Sequence, residues 1–222
     1  MTRTATPPLE CIHGEGARHT VFFVGYDEAK HRWADEKVDT WVAGVKHLAG
    51  FVRSSHHKAY GGLTMSLHQE WNFVQHITPG VRSLFTTLEA ALRDDFLPAL
   101  IGGRREEVTD SLRKRITWGV ERKGIGIPYP TQTAPENFEM AEHCCEVLPD
   151  SLLNREAMDF ISHSTQVKEG REAGQERRAD RKEEELRDLK ENSDKKVKKN
   201  LNGPERVVGG LLSCPDPSMG LI

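Results

Sequence analysis

Residues 27–53 read DEAKHRWADEKVDTWVAGVKHLAGFVR, and this stretch decides the fold of the chain. Its apolar residues recur at spacings of three and four, which places them on one face of a helix. That face consists of Val38, Trp41, Val42, Val45, Leu48, Ala49 and Val52. Because charged residues occupy the opposite face, we predict an amphipathic helix from about Asp27 to Arg53, with Asp27 as its N-cap.

The same periodicity predicts further helices along the chain. One contains Leu63 to Val74, one runs from about Val81 to Leu97, and one runs from about Glu106 to Trp118. Pro98 and the glycine pair that follows it are expected to end the helix that begins at Val81. Helical character resumes at about Pro135, a good first-turn residue. The apolar stripe of this last helical region is expected to continue through Leu152, Leu153, Phe160 and Ile161.

Two segments do not have a helical pattern. The apolar run from Val21 to Val24 is stopped by Gly25, which is typical of a short buried strand. Residues 124–128 read Gly-Ile-Gly-Ile-Pro and alternate glycine with a β-branched residue. We predict an extended or looped segment there, whose backbone can approach another surface closely.

Residues 168–199 have a different composition from the rest of the chain, because 22 of these 32 positions are charged. They contain no aromatic residue, whereas residues 28–161 hold all four tryptophans. The segment therefore cannot form a core of its own, and we predict a solvated helix held by i, i+4 charge pairs of about 0.2–0.5 kcal/mol each. Its apolar residues are too few for a sustained heptad seam, so the helix is coiled coil-like only in its charge pattern.

These patterns predict a mainly α fold. We expect a helical array with one short N-terminal strand and a Gly-rich extended segment, plus a long charged C-terminal helix. Residues 1–26 are expected to be an irregular N-terminus with the short strand, and residues 27–165 a helical core domain. Residues 166–199 would be the charged solvated helix, and residues 200–222 a loop or disordered tail.

Composition restricts the class of protein. No apolar run approaches the ~20 residues that span a bilayer, and the N-terminus has no apolar signal-peptide core. The four cysteines form no CxxC pair, which argues against a zinc knuckle or a thioredoxin-type site. We therefore expect an intracellular protein of the nucleus or cytoplasm, without a membrane partner.

No complete active site is found in the sequence. The HExxH, GxSxG and GxxxxGK motifs are all missing, and the histidines near His68 lack a carboxylate at metal-ligand spacing. The Asp94-Asp95 pair lies inside a helical pattern, without the strand–turn–strand setting of a two-metal site. We therefore expect no catalytic residue, no metal and no cofactor in this chain.

A series of motifs in a fixed order resembles a known family. In order, the motifs are Arg18-x-x-x-Phe22-Phe23-Val24-Gly25, Glu36-Lys37-Val38-x-x-Trp41, Ala59-Tyr60-x-Gly62-Leu63-Thr64-x-Ser66-Leu67-x-x-Glu70-Trp71, Pro79-Gly80-Val81, Phe96-Leu97-Pro98-Ala99-Leu100, Gly124-Ile125-Gly126-Ile127-Pro128 and Val197-Lys198-Lys199. The series resembles the region downstream of the polymerase palm in retroelement reverse transcriptases of protist and algal genomes. The likeness covers about residues 17–205, and the order of the motifs is more specific than any single motif.

The resemblance implies a non-catalytic fragment or relic of an RNA-directed DNA polymerase encoded by a retrotransposon. The catalytic aspartates of that family lie upstream, in a Tyr-x-Asp-Asp turn that this chain lacks. Phe22, Phe23 and Gly25 would match a primer-grip-like strand, and the helices after them would be thumb-like or connection-like. RNA or DNA would be the partner.

Local basic clusters indicate where phosphates would bind. The candidates are Arg18, Arg113, Lys114, Arg115 and Lys123. The sequence pI near 6.4 argues against a basic footprint over the whole chain, and solvated helix ends are the alternative explanation for these clusters.

A second hypothesis belongs to a different class of function. The chain would be a helical protein-interaction module that docks a partner, or self-associates, through the charged C-terminal helix. A third hypothesis is a translated remnant with no selected role.

Overall fold

The computed structural model describes residues 16–19, 22–122, 124–154 and 157–192. The elements are β1 (Gly16–His19), β2 (Phe22–Gly25), α1 (Asp27–Val52), α2 (His56–Gly62), α3 (His68–Ile77), α4 (Phe85–Ala91), α5 (Leu97–Ile101), α6 (Asp110–Ile116), α7 (Pro130–Cys145), α8 (Val147–Asn154) and α9 (Phe160–Asn192). Helices dominate, which confirms the predicted mainly α character. None of the helices in the described ranges is long and apolar enough to cross a bilayer.

The two strands form an antiparallel hairpin in which Gly16 pairs with Gly25 and His19 with Phe22. The ring of Phe23 stacks on Trp33, with 6.3 Å between the ring centroids. This contact joins the hairpin to the first turns of α1.

Helix α1 runs through the centre of the core. Its Trp41 is stacked on Phe85 of α4 at a centroid distance of 6.1 Å and meets the edge of Trp71 of α3 at 6.4 Å. All three rings are buried, and aromatic pairs in these geometries contribute about 0.5–1.5 kcal/mol beyond their buried area. The sequence periodicity of residues 27–53 therefore identified the helix on which α2, α3, α4 and α5 pack.

The start of α1 differs from the prediction by one residue. Tyr26 is the N-cap, with an extended backbone, and Asp27 is the first helical residue. Asp27 pairs instead with Lys30 at 3.0 Å between Oδ1 and Nζ. A carboxylate in the first turn also interacts favourably with the helix dipole.

Two single π turns connect pairs of helices without ending them. Residues Leu63–Leu67 join α2 to α3, and Leu92–Phe96 join α4 to α5. The prediction that Pro98 ends a helix is wrong, because Pro98 lies in the first turn of α5, directly after the π turn, and the helical run continues past it to Ile101. The helical run ends at Gly102, as the glycine pair predicts, and the φ of 68° at Gly102 lies in the left-handed region.

The C-terminal helices also begin at other residues than predicted. Helix α7 begins at Pro130, and Pro135 lies inside it. Helix α6 is shorter than predicted, since it begins after Thr109, whose Oγ1 accepts a hydrogen bond from the Leu112 amide at 3.2 Å.

The predicted apolar stripe beyond α7 is wrong at its far end. Leu152, Leu153, Phe160 and Ile161 are 73–81% exposed at the corner between α8 and α9. Helical spacing alone predicts them on the core face, but in the structure all four side chains are exposed to solvent.

His68 gives this fold a specific pH dependence. Burial lowers the pKa of His68 below 6.5 although a hydrogen bond with Thr64 raises it, and the ring lies 5.5 Å from Trp71. As pH falls below about 6.5, the unfolded chain takes up this proton first, so folding stability falls through this window toward the lower folded-state pKa. We expect His68→Gln to lose less stability than wild type between about pH 7 and 5 in urea melts. His47→Gln, at an exposed position, is the control, and equal slopes for wild type and His68→Gln would contradict the prediction.

Candidate binding surfaces

The candidate phosphate-binding residues are distributed between surface and interior. Lys114 is exposed and Arg115 is half-buried near the end of α6. Arg113, directly before the exposed Lys114, is buried with 2% of its side chain exposed. Arg18 belongs to β1, but its side chain lies outside the described residues, as does the whole of Lys123.

The primer-grip-like residues lie in β2. Phe23 is half-buried against Trp33, and Gly25 is paired with Gly16 across the hairpin. The side chain of Phe22 lies outside the described residues.

Arg113 joins α6 to α4 and to the segment before α7. Its guanidinium donates two hydrogen bonds to the Glu89 carboxylate, both at 2.7 Å. It also donates to the backbone oxygens of Ile127 at 3.2 Å and Pro128 at 2.6 Å. The ring of Tyr129 lies 4.9 Å from its Cζ. Every side of the guanidinium is therefore engaged within the protein.

The partner carboxylate is also buried. Burial raises the pKa of Glu89, while the hydrogen bonds and the positive charge of Arg113 lower it. Breaking a buried ion pair of this kind strongly destabilises the folded protein, so Arg113 acts as a structural residue. We therefore remove Arg113 from the candidate phosphate partners.

The Gly-rich segment packs tightly against α6 and α2. The amides of Ile125 and Ile127 both donate to the Ile116 carbonyl, at 3.3 and 3.2 Å. The Tyr60 hydroxyl donates to the Ile125 carbonyl at 2.6 Å. A Cβ at Gly124 would lie 2.6 Å from the Arg115 carbonyl oxygen, so only glycine fits this close approach. The surface that this backbone approaches is the protein's own interior.

Buried polar side chains join α3 to α7. Gln75 is fully buried and donates to the Pro130 carbonyl at 3.0 Å. Its Oε1 accepts from Asn137 at 2.8 Å and from Thr133 at 3.0 Å. Asn137 also donates to the Asn72 side chain at 2.8 Å. Such satisfied networks fix one arrangement of two helices.

Helix α9 is docked on α7 along one stripe, and most of its other residues are exposed. The stripe, which we call the α9 stripe, consists of Gly170, Gly174, Arg178, Arg181 and Glu185. The two glycines admit the side chains of Met140, His143 and Cys144. The prediction of a wholly solvated helix therefore needs correction along this stripe.

The far half of the α9 stripe is held by polar contacts. Arg178 donates to the Asn137 side chain at 3.0 Å, and Arg181 forms an ion pair with Glu136. Glu185 accepts from the Trp118 indole at 3.1 Å. Hydrophobic periodicity could not detect this stripe, because none of its members is a large apolar residue.

We expect Gly174→Phe to separate α9 from α7. A Cβ at this position would lie 3.3 Å from the Met140 sulfur, so a phenyl ring has no room. Backbone amides of residues 170–185 should exchange with deuterium at least about tenfold faster, because the loss of docking favours local opening. The matched control is Ala173→Phe, at an exposed position of the same turn. Equal exchange rates in the two variants would contradict the docking described here.

A groove lies between α1 and α3 on the other side of α3 from α7. It encloses about 540 Å³, within the usual range for binding sites. Helix α1 contributes three residues at successive helical turns, namely Trp33, Lys37 and Trp41. Gln69, Glu70, Phe73 and Val74 contribute from α3. We call this site the α1–α3 groove.

The α1–α3 groove has an apolar floor and a charged rim. Trp41 forms part of the floor and donates its indole N–H to Glu70 Oε2 at 3.0 Å, which fixes the carboxylate on the rim. Lys37 contributes the opposite charge from α1. Phe73 remains 40% exposed beside the groove, although it is a large apolar residue. The arrangement suits an apolar side chain flanked by polar or charged groups.

The sequence pattern predicts these groove residues only as core residues or as residues of an exposed face. Trp41 was identified as core and Lys37 as solvent-facing, and the groove forms where these two faces meet at α3. Phe73 could have indicated the groove from the sequence. Trp71 and Val74 share one helical face, and Phe73, which lies between them in the sequence, is a large apolar residue off that face.

The described residues hold no group of three metal-binding side chains of the kind that would bind an ion. Asp94, considered for two-metal chemistry, pairs with Arg105 at 2.5 Å. Cys144 and Cys145 are both free thiols.

No protein-family model, no curated protein and no solved structure matches this chain.

Proposed function

We propose that this chain is a non-catalytic helical protein-interaction module that binds an apolar segment of a polypeptide in the α1–α3 groove. The observation that carries the proposal is the half-exposed Phe73 beside the apolar floor of Trp33 and Trp41. Grooves between two helices are a common docking site for amphipathic helices, which insert large apolar side chains.

The charges on the rim favour a polypeptide that places an acidic residue beside Lys37 and none beside Glu70. Lys37 on α1 would attract such an acidic group, while Glu70 on α3 would oppose one on its own side. The fixed Glu70 carboxylate therefore gives the groove a polarity and orients the bound segment.

The proposal can be tested by selecting binders from a displayed pool of random 12-residue peptides. Selection on the wild-type chain should enrich peptides that carry a Leu or aromatic anchor. These peptides should bind Phe73→Glu at least about tenfold more weakly, which corresponds to about 1.4 kcal/mol. Ile77→Glu is the matched control, since Ile77 is 38% exposed on the same helix but does not line the groove. Enriched peptides that bind all three proteins equally would refute the proposal.

A second proposal concerns origin and nucleic acid. We infer from the ordered motifs that the chain derives from the post-palm region of a retroelement reverse transcriptase and is intracellular. Phosphate contact would then fall to Lys114, together with Arg115, Arg18 and Lys123. The exposure of Lys114 at the end of α6 favours this proposal. The removal of Arg113 from the set weakens it.

Filter binding of labelled RNA and DNA across a salt series tests the second proposal. Affinity should fall as salt rises, and Lys114→Ala should reduce the slope by about one. A flat salt response would count against phosphate contact. The same preparation should not extend a primer on an RNA template with Mg²⁺, and robust extension would refute the non-catalytic assignment.

A further inference from the structure

The corner between α8 and α9 carries an unusual concentration of exposed apolar residues. Leu152 and Leu153 end α8, and Phe160 and Ile161 begin α9. Each is 73–81% exposed. We call these four residues the apolar tip.

The size of the apolar tip points to an interaction. The four side chains lie within ten residues of one another along the chain and together expose roughly 500 Å² of surface, comparable to the largest apolar patch on a typical monomer. Patches of this extent mark interaction sites more often than scattered single residues do.

The apolar tip and the α1–α3 groove complement each other. The tip provides large apolar side chains, and the groove provides an apolar floor of about 540 Å³. The tip also carries Asp159, which is fully exposed and accepts hydrogen bonds from the Ile161 and Ser162 amides through Oδ1. Its carboxylate supplies the acidic group that Lys37 on the groove rim would attract.

The two surfaces do not meet within one copy of the chain. The tip residues are exposed, so their side chains do not fill the groove of their own copy. The groove lies on the face of α3 that carries Glu70 and Phe73, whereas Asn72 and Gln75 face α7.

We propose that the apolar tip of one copy binds in the α1–α3 groove of a second copy. This rests on the proposed function of the groove and names its partner. The contact joins two different surfaces, so it is head to tail, and repetition gives a ring or an open chain of copies. Lys37 of one copy faces Asp159 of the next and sets the orientation.

Sedimentation of the full chain over a concentration series tests this inference. The weight-average mass of wild type should rise at least about twofold with concentration, as expected for contacts that repeat. Phe73→Glu removes the groove contact, and Leu152→Glu with Ile161→Glu removes the tip contact. Each variant alone should remain monomeric. Mixed together they should form a one-to-one pair and nothing larger, because only one intact tip and one intact groove can meet.

Three further variants separate this mechanism from general loss of apolar surface. Met65→Glu and Ile77→Glu change exposed apolar residues outside both surfaces and should assemble as wild type does. Lys37→Glu should weaken assembly at least about tenfold without removing any apolar group.

The outcomes decide between the proposals. A monomeric wild type at all concentrations, or a mixture that forms no pair, overturns the head-to-tail contact. If such a monomer still binds the selected peptides through Phe73, the groove keeps its proposed function and only the second copy is wrong as the partner. Equal loss of assembly in Ile77→Glu also overturns the inference.

Discussion

Replacement of Arg113 by alanine is expected to destabilise the protein by about 3–5 kcal/mol, because it leaves the buried Glu89 carboxylate without its charged partner. It also removes the donors to the Ile127 and Pro128 carbonyls. At this chain length the midpoint of thermal unfolding should fall by roughly 10 °C. Calorimetry and urea unfolding both measure the change.

Two controls separate the buried pair from the loss of charge as such. Lys114→Ala removes a neighbouring exposed cation and should change stability by no more than about 0.5 kcal/mol. The double variant Arg113→Met with Glu89→Leu removes both charges and should recover most of the loss, because no uncompensated buried charge remains. A loss under about 1 kcal/mol in Arg113→Ala would contradict the assignment of Arg113 to the interior.

Replacement of Gly124 by alanine is expected to cost about 3 kcal/mol or more, because the added methyl group meets backbone atoms that cannot rotate away. The carbonyl oxygen of Arg115 would lie 2.6 Å from the new Cβ, and that of Trp118 would be closer still. The segment would have to move away from α6, and the Arg113 hydrogen bonds to Ile127 and Pro128 would weaken with it.

Gly61→Ala is the matched control for the glycine experiment. A Cβ at Gly61 meets nothing within 4 Å, and the residue lies inside α2. Alanine should therefore stabilise the protein by up to about 1 kcal/mol. If Gly124→Ala unfolds at the same urea concentration as wild type, then the close approach of the segment to α6 is wrong.

The parts of the fold that follow from hydrophobic periodicity were predictable. The helix at residues 27–53 was found because Val38, Trp41 and Val45 repeat at helical spacing, and all three are buried. The boundaries at Pro98 and Pro135 were wrong because each proline is accommodated inside a helical run. The path of the chain at these points depends on the π turn and on Pro130, which the local pattern does not reveal.

The candidate surfaces were less predictable. Arg113 is one cation in a run of three, and its sequence neighbours do not distinguish it from Lys114. Its burial depends on Glu89, 24 residues away, and on carbonyls of the Gly-rich segment. The α1–α3 groove could likewise be predicted only if the distance between the two helices were known. Such pairings depend on tertiary geometry, which residue spacing along one chain does not contain.

The composition of the α9 stripe has a thermodynamic consequence. The heat capacity change of unfolding depends chiefly on the apolar area that becomes hydrated, and it is reduced by polar area. Because α9 is held largely by glycine contacts, hydrogen bonds and ion pairs, its release should contribute less to that change than unfolding of the helices around Trp41 does. The free energy of detaching α9 should then vary more nearly linearly with temperature, whereas the free energy of unfolding the helices around Trp41 should curve steeply.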